Sequence, residues 1–228
     1  MYDKGILSEK IADDIRKMIL EKELQPGDKL PNEIELTDML NIGRSTVREA
    51  IKILVSTNIL EVKRGKGTYV SENPGVLKDP LGITFMEDSN LLLHFFEMRI
   101  IIEPQIAELA AIRATEKDIM KIKKAYEQVE LAIKNNTDHT SSDIDFHNAI
   151  AKSTHNPIIN RIVPIINDGI KGGYAKTKDI PESGEVVLIH HKKIFQAIKN
   201  KKQDLAKQYM KEHILYGFNE TKKININN

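Results

Sequence analysis

Asp143 and His147 stand four residues apart in SSDIDFHNAIAKS, a spacing that stacks two side chains on one face of a helix. Two further segments interrupt an apolar stripe with imidazole. In VVLIHHKKIFQAI the stripe Val187, Ile194 and Ile198 is broken by His191, with His190 toward its edge; in LAKQYMKEHILYGF the stripe Ala206, Met210 and Gly217 is broken by His213. Taken singly, each histidine also reads as a core residue bonded to a carbonyl. As a set they aim imidazole or carboxylate from three helices into one interior, where an aspartate is costly unless paired. One oxygen and three imidazole nitrogens suit a divalent transition metal (zinc, nickel, manganese or iron) and leave one or two positions for water or ligand. Asp143, His147, His191 and His213 are the candidate metal ligands.

A second constellation lies in NIGRSTVREAIKIL. Arg44, Ser45, Thr46 and Arg48 occupy the outward side of a helix whose inner face is Val47, Ile51 and Leu54. Arginine forks match the guanine edge in the major groove, and hydroxyls hold phosphates. A few residues on, Lys63, Arg64, Gly65 and Lys66 form a basic tip placed to reach the DNA backbone or minor groove. Charge follows the same division: residues 1–43 hold six Lys/Arg against ten Asp/Glu, whereas 44–70 hold six against two. The alternative is a solvated helix face, with Arg48 in a surface network with Glu49 or Lys52.

Composition bounds the chemistry. The net charge of +1 favours no partner by itself, and the absence of cysteine excludes disulfides and thiolate metal sites. Apolar stretches such as LLLHFF fall far short of the roughly 18 residues of a spanning helix, so the expectation is a soluble, cytoplasmic protein without membrane contact.

The elements that must position these residues are legible in outline. LSEKIADDIRKMILEKEL, with Ser8 as N-cap and Ile11, Ile15, Met18 and Ile19 at helical spacing, predicts a first helix. QPGDKLPNE breaks it, and Asn32 caps a short second helix ending near Leu40. After the turn 41–43 comes the third helix, and ILEVKRGKGTYV reads as a hairpin. The sum is a winged helix-turn-helix over residues 1–72. Residues 73–90, with SENPGVLKDPLG, form a linker with room for one short helix. From 91 to 228 the pattern is helical, with stretches at 91–113, 116–134, 139–153, 157–172, 183–199 and 203–222 separated by Thr115, HNP, GG and IPESG, and with a fraying tail KKININN. The predicted fold is mainly α, an antiparallel bundle of six or seven helices behind the winged module. Arg99 lies on the inward stripe Leu92, Phe95, Ile102 and Ile106, four residues before Glu103, its available intrahelical partner. Asn148, Asn156 and Asn167 read as helix caps, exposed groups or contacts near the cluster.

Residues 8–70, through GDKLPNEIELTDMLNIGRSTVREAIKIL and RGKGTYV, resemble the DNA-binding domain of the GntR family of bacterial transcription regulators. The resemblance implies that Arg44, Thr46 and Arg48 contact operator DNA and that the glycine-bearing wing tip contacts the minor groove. Ile34 and Gly43 depart from it, since many members carry arginine and a hydroxyl residue there. MRIIIEPQIAELAA, DIDFHNAIAKSTHNP and HHKKIFQAIKNKKQDLAKQYMKEHI are similar to the helical effector domain of the FadR-type branch, the FCD domain. Its metal-binding members place Asp, His, His and His at Asp143, His147, His191 and His213. The arginine matching Arg99 clamps the carboxylate of a small organic acid in related domains, so Arg99 is the candidate effector-binding residue beside the intrahelical reading.

These readings imply a homodimeric, effector-responsive regulator reading double-stranded operator DNA. The competing class is a metal-dependent hydrolase or isomerase fused to a nucleic-acid-binding module. Against it, no nucleophile array accompanies the ligands, and Asp145 lies on another helix face.

Overall fold

The computed structural model describes residues 4–77, 79–177 and 183–227. The chain divides into two compact units, Met1–Leu81 and Gly82–Asn228, each with its own core.

In the first unit, α1 (Lys4–Glu21), α2 (Glu33–Leu40) and α3 (Arg44–Ser56) precede a hairpin of β1 (Leu60–Lys63) and β2 (Gly67–Val70). Ile11, Ile15, Leu36, Val47, Leu54, Leu60 and Val70 meet in one apolar cluster. Asn32 caps α2: its Oδ1 accepts from the amides of Ile34 and Glu35, and the Glu35 carboxylate accepts from the Asn32 amide at 2.7 Å. Asn41 ends α2 in the left-handed region at φ 52°, which turns the chain into α3. Gly43 gives α3 no side-chain cap, as its departure from the family pattern implies.

Ser8 is not a cap. Helix α1 already includes Lys4 and carries Ser8 on its buried face, about one turn inside the described helix. The hairpin also gains a neighbour. The amide of Leu30 donates to Thr68 and that of Val70 to Asp28, at 2.9 and 2.8 Å, and Lys29 bridges Tyr69. The segment read as a breaker thus satisfies the open edge of β2.

The second unit begins with a 3-10 turn, Ile83–Phe85, followed by α4 (Leu91–Arg113), α5 (Glu116–Lys134), α6 (Thr140–Lys152), α7 (Ile159–Thr177), α8 (Gly184–Lys199) and α9 (Gln203–Asn227). The six helices among the described residues are the lower of the two numbers expected. Helix α4 is central, packing on α6, α7, α8 and α9. Phe96, Phe146, Ile122, Ile170, Ile194, Ile198 and Met210 are fully buried, each large side chain contributing about 1.5–3 kcal/mol. Thr115 caps α5 reciprocally with Asp118.

Two expected boundaries move. Helix α7 runs through Gly172 and Gly173 instead of stopping there. A Cβ at Gly169 would overlap the Phe95 ring, and one at Gly173 would come within 2.7 Å of Leu92, so glycine here lets α4 and α7 approach closely. Helix α9 runs through Gly217 and continues past 222 to Asn227, with no glycine or proline in its last ten residues. Part of IPESG lies outside the described residues. No helix among the described residues is long and apolar enough to cross a membrane.

Candidate metal centre and nucleic-acid interface

Inside the bundle, α6 supplies Asp143 and His147, α8 supplies His191 and α9 supplies His213. Each donor set has one atom within 4.8 Å of all the others. His147 Nε2 lies 3.1 Å from His213 Nε2, which is 3.2 Å from His191 Nε2. His191 Nε2 lies 3.1 Å from Asp143 Oδ1. Metal–nitrogen bonds of about 2.1 Å, at tetrahedral to right angles, put neighbouring ligand atoms about 3.0–3.4 Å apart. The three spacings of 3.1–3.2 Å fit that range, while His147 Nε2 and Asp143 Oδ2, 3.8 Å apart, stand wider. The three imidazoles are buried, while Asp143 is the most open of the set at 16% side-chain exposure.

Electrostatics prepares these groups as ligands. Burial lowers the His191 imidazole against the pull of Asp143. His213 is held well below the usual histidine range by burial and by its neighbours His191 and His147. Both are neutral at pH 7, the form that offers a lone pair. Burial works against the Asp143 carboxylate, yet His147 and His191 outweigh it and hold Asp143 well below its ordinary value. Phe146 stacks on His191 with ring centroids 4.2 Å apart, a wall that fixes the imidazole plane.

Arg99 points into this interior and is buried with Glu103. Its Nε donates to Glu103 Oε1 at 2.6 Å, so the intrahelical pair read from the sequence is formed. The sequence reading missed the other half of that carboxylate: Glu103 Oε2 lies 2.5 Å from His147 Nδ1. Burial raises the Glu103 carboxyl, but Arg99 and His147 together bring it down to about 2. The signal was present in the one-turn spacing of Arg99 and Glu103 on the inward face of α4, but the link to α6 is tertiary.

His190 packs edge-on to His213 and Tyr216. Buried Asn167 on α7 donates to Asn148 on α6 at 3.1 Å, whereas Asn156 accepts from the amides of Ile158 and Ile159 as a cap. Asp145 is exposed.

In the first unit, Arg44, Ser45 and Arg48 are exposed at the start of α3, with Thr46 half-buried. Arg48 does not join Glu49 or Lys52, which pair with each other at 2.7 Å. Its fork instead crosses to α2, with Nη2 2.8 Å and Nε 3.4 Å from the two carboxylate oxygens of Glu33. The hydrogen bond from Arg48 and its charge pull the Glu33 carboxyl below its ordinary value. At the wing, the Lys66 amide donates to the Lys63 carbonyl at 2.9 Å, with Gly65 at φ 74° in between. That positive φ suits glycine. Arg64, Gly65 and Lys66 are exposed, while the Lys63 ammonium sits 4.8 Å from the centre of the Tyr69 ring.

Residues 7–70 match the model of bacterial regulatory proteins of the gntR family, and residues 94–216 match the FCD domain. The chain is 37% identical over 152 residues to the Uxu operon transcriptional regulator of Escherichia coli (strain K12), covering 64% of this chain and 57% of that protein. It is 27% identical over 219 residues to the HTH-type transcriptional repressor NanR of Enterobacter sp. (strain 638), covering 91% of this chain and 82% of NanR. Among solved structures, Streptococcus agalactiae GntR superposes with a TM-score of 0.84 at 36% identity, covering 93% of this chain and 99% of that one.

Proposed function

The chain belongs to the gntR family of bacterial regulatory proteins, with an FCD domain behind its helix-turn-helix, and from that membership we propose a metal-dependent, acid-sensing transcription regulator. It binds double-stranded operator DNA as a homodimer in the cytoplasm. Arg44, Ser45, Thr46 and Arg48 enter the major groove, and Lys63, Arg64, Gly65 and Lys66 track the backbone or minor groove. Asp143, His147, His191 and His213 hold a divalent transition metal, and a small carboxylate reaches the site beside Arg99. A bound metal supplies a Lewis-acidic position for the acid's oxygens; the chain supplies the buried walls and the guanidinium. The relatives are named as regulators, and this chain is a regulator rather than an enzyme, which removes the hydrolase or isomerase reading.

The observation that carries the sensing half is the convergence of three buried imidazole nitrogens and one carboxylate at metal-ligand spacing. Effector binding alters DNA affinity only through a difference in its affinity for two dimer states. The test pairs elemental analysis with operator binding. Wild-type protein is expected to retain a stoichiometric transition metal, and the His191→Ala, His213→Ala double variant to lose it while still binding operator. A carboxylate panel should then shift operator affinity in wild type and not after chelation. Metal content in the double variant equal to wild type would refute the site.

A further inference from the structure

Glu103 is a buried carboxylate with two partners. Its side chain is 4% exposed; Oε1 accepts from Arg99 Nε at 2.6 Å and Oε2 meets His147 Nδ1 at 2.5 Å. The Nδ1 atoms of His147, His191 and His213 are all buried, and none meets full hydrogen-bond geometry. Among the described residues, His147 Nδ1 is the one of the three set against a carboxylate, Glu103 Oε2 at 2.5 Å. An imidazole has two nitrogens, and the proton resides where a negative partner meets it. A carboxylate at Nδ1 keeps the proton there and leaves the Nε2 lone pair facing Asp143, His191 and His213.

We infer that Glu103 is the positioning residue of this centre: it locks His147 with Nδ1 protonated and Nε2 open to the cation, and ties the Arg99 guanidinium to that imidazole. The inference rests on the metal reading given above. It adds a specific consequence, because one carboxylate joins the group that would meet an organic acid to a group that would meet the metal. Carboxylates placed behind a ligating histidine raise its basicity and fix its orientation, and removing one costs about 10–100-fold in metal affinity. Anything that draws Arg99 away from Glu103 changes how that carboxylate is shared with His147, so acid binding and metal binding are coupled reciprocally.

Two measurements test it. First, 15N-detected imidazole spectra of the metal-free wild-type protein are expected to show His147 as the Nδ1-protonated tautomer; the Nε2-protonated form would overturn the inference with no variant needed. Second, Glu103→Gln preserves shape and volume while removing the charge. Zn(II) affinity of this variant, from competition against a chelator, is expected to fall about 10–100-fold with the helical content of wild type retained. Affinity equal to wild type would reduce Glu103 to packing. If wild type binds no Zn(II), the metal reading fails while the tautomer measurement still decides what Glu103 does to His147.

Discussion

In the proposed operator reading, the specificity of Arg48 comes from what holds it. A guanidinium offers two edges for paired hydrogen bonds, and Glu33 takes the one made by Nε and Nη2. The remaining edge, Nη1 with Nη2, is the one left to face guanine O6 and N7. Arg48→Ala is therefore expected to cost on the order of tenfold or more in discrimination at one base pair, read by competition between operator and single-base variants. Lys66 makes the contrasting case, being a point charge at a turn tip with no fork to orient. Lys66→Ala should weaken binding to every sequence alike and reduce the salt slope by about 1. An unchanged base preference in the first variant, or a sequence-selective loss in the second, would reverse the two roles. Helical spacing placed Arg48 on the exposed face of α3, and the hairpin reading placed Lys66 at its exposed tip. Spacing could not pair Arg48 with Glu33, because that contact spans two helices and the turn between them.

Helix α7 shows why a glycine pair is an ambiguous sign in sequence. Glycine disfavours a helix by about 1 kcal/mol, which is why GG reads as a stop, yet close packing against a neighbour outweighs that penalty where no Cβ fits. Gly169→Ala would drive a methyl into the Phe95 ring, and the overpacking cost of about 1–3 kcal/mol exceeds the propensity gain. Gly172→Ala meets nothing within 4 Å and should stabilise by about 0.5–1 kcal/mol. Chemical denaturation of the two variants should move in opposite directions; equal stabilisation would mean that α4 and α7 do not approach as closely as described. Elsewhere local signals sufficed. Thr115 and Asn32 act as the caps their positions imply, and α4 and α5 keep the expected bounds. What escaped the sequence was non-local: the pairing of residues 27–30 with β2, and Glu103 reaching His147. In both, the partner lies on a different element, and no periodicity encodes it.

At the scale of the whole chain, the first fact is that the two cores share no residue. A cation held by Asp143, His147, His191 and His213 contacts only the second unit, so by mass action it stabilises that unit directly. At a free metal concentration a thousand times the dissociation constant the gain is about 4.1 kcal/mol. Whether the first unit feels it depends on coupling, which is also what effector control of DNA binding requires. Scanning calorimetry separates these possibilities. With metal present, the transition of Gly82–Asn228 should rise while that of Met1–Leu81 holds its chelator-treated position, because the ligands all belong to the second unit and add no contact to the small core. A joint shift of both transitions would mean that the units unfold as one body and that regulation passes through a continuous packed interface. If neither moved, no cation would be bound, and control of operator affinity would have to originate outside the histidine cluster.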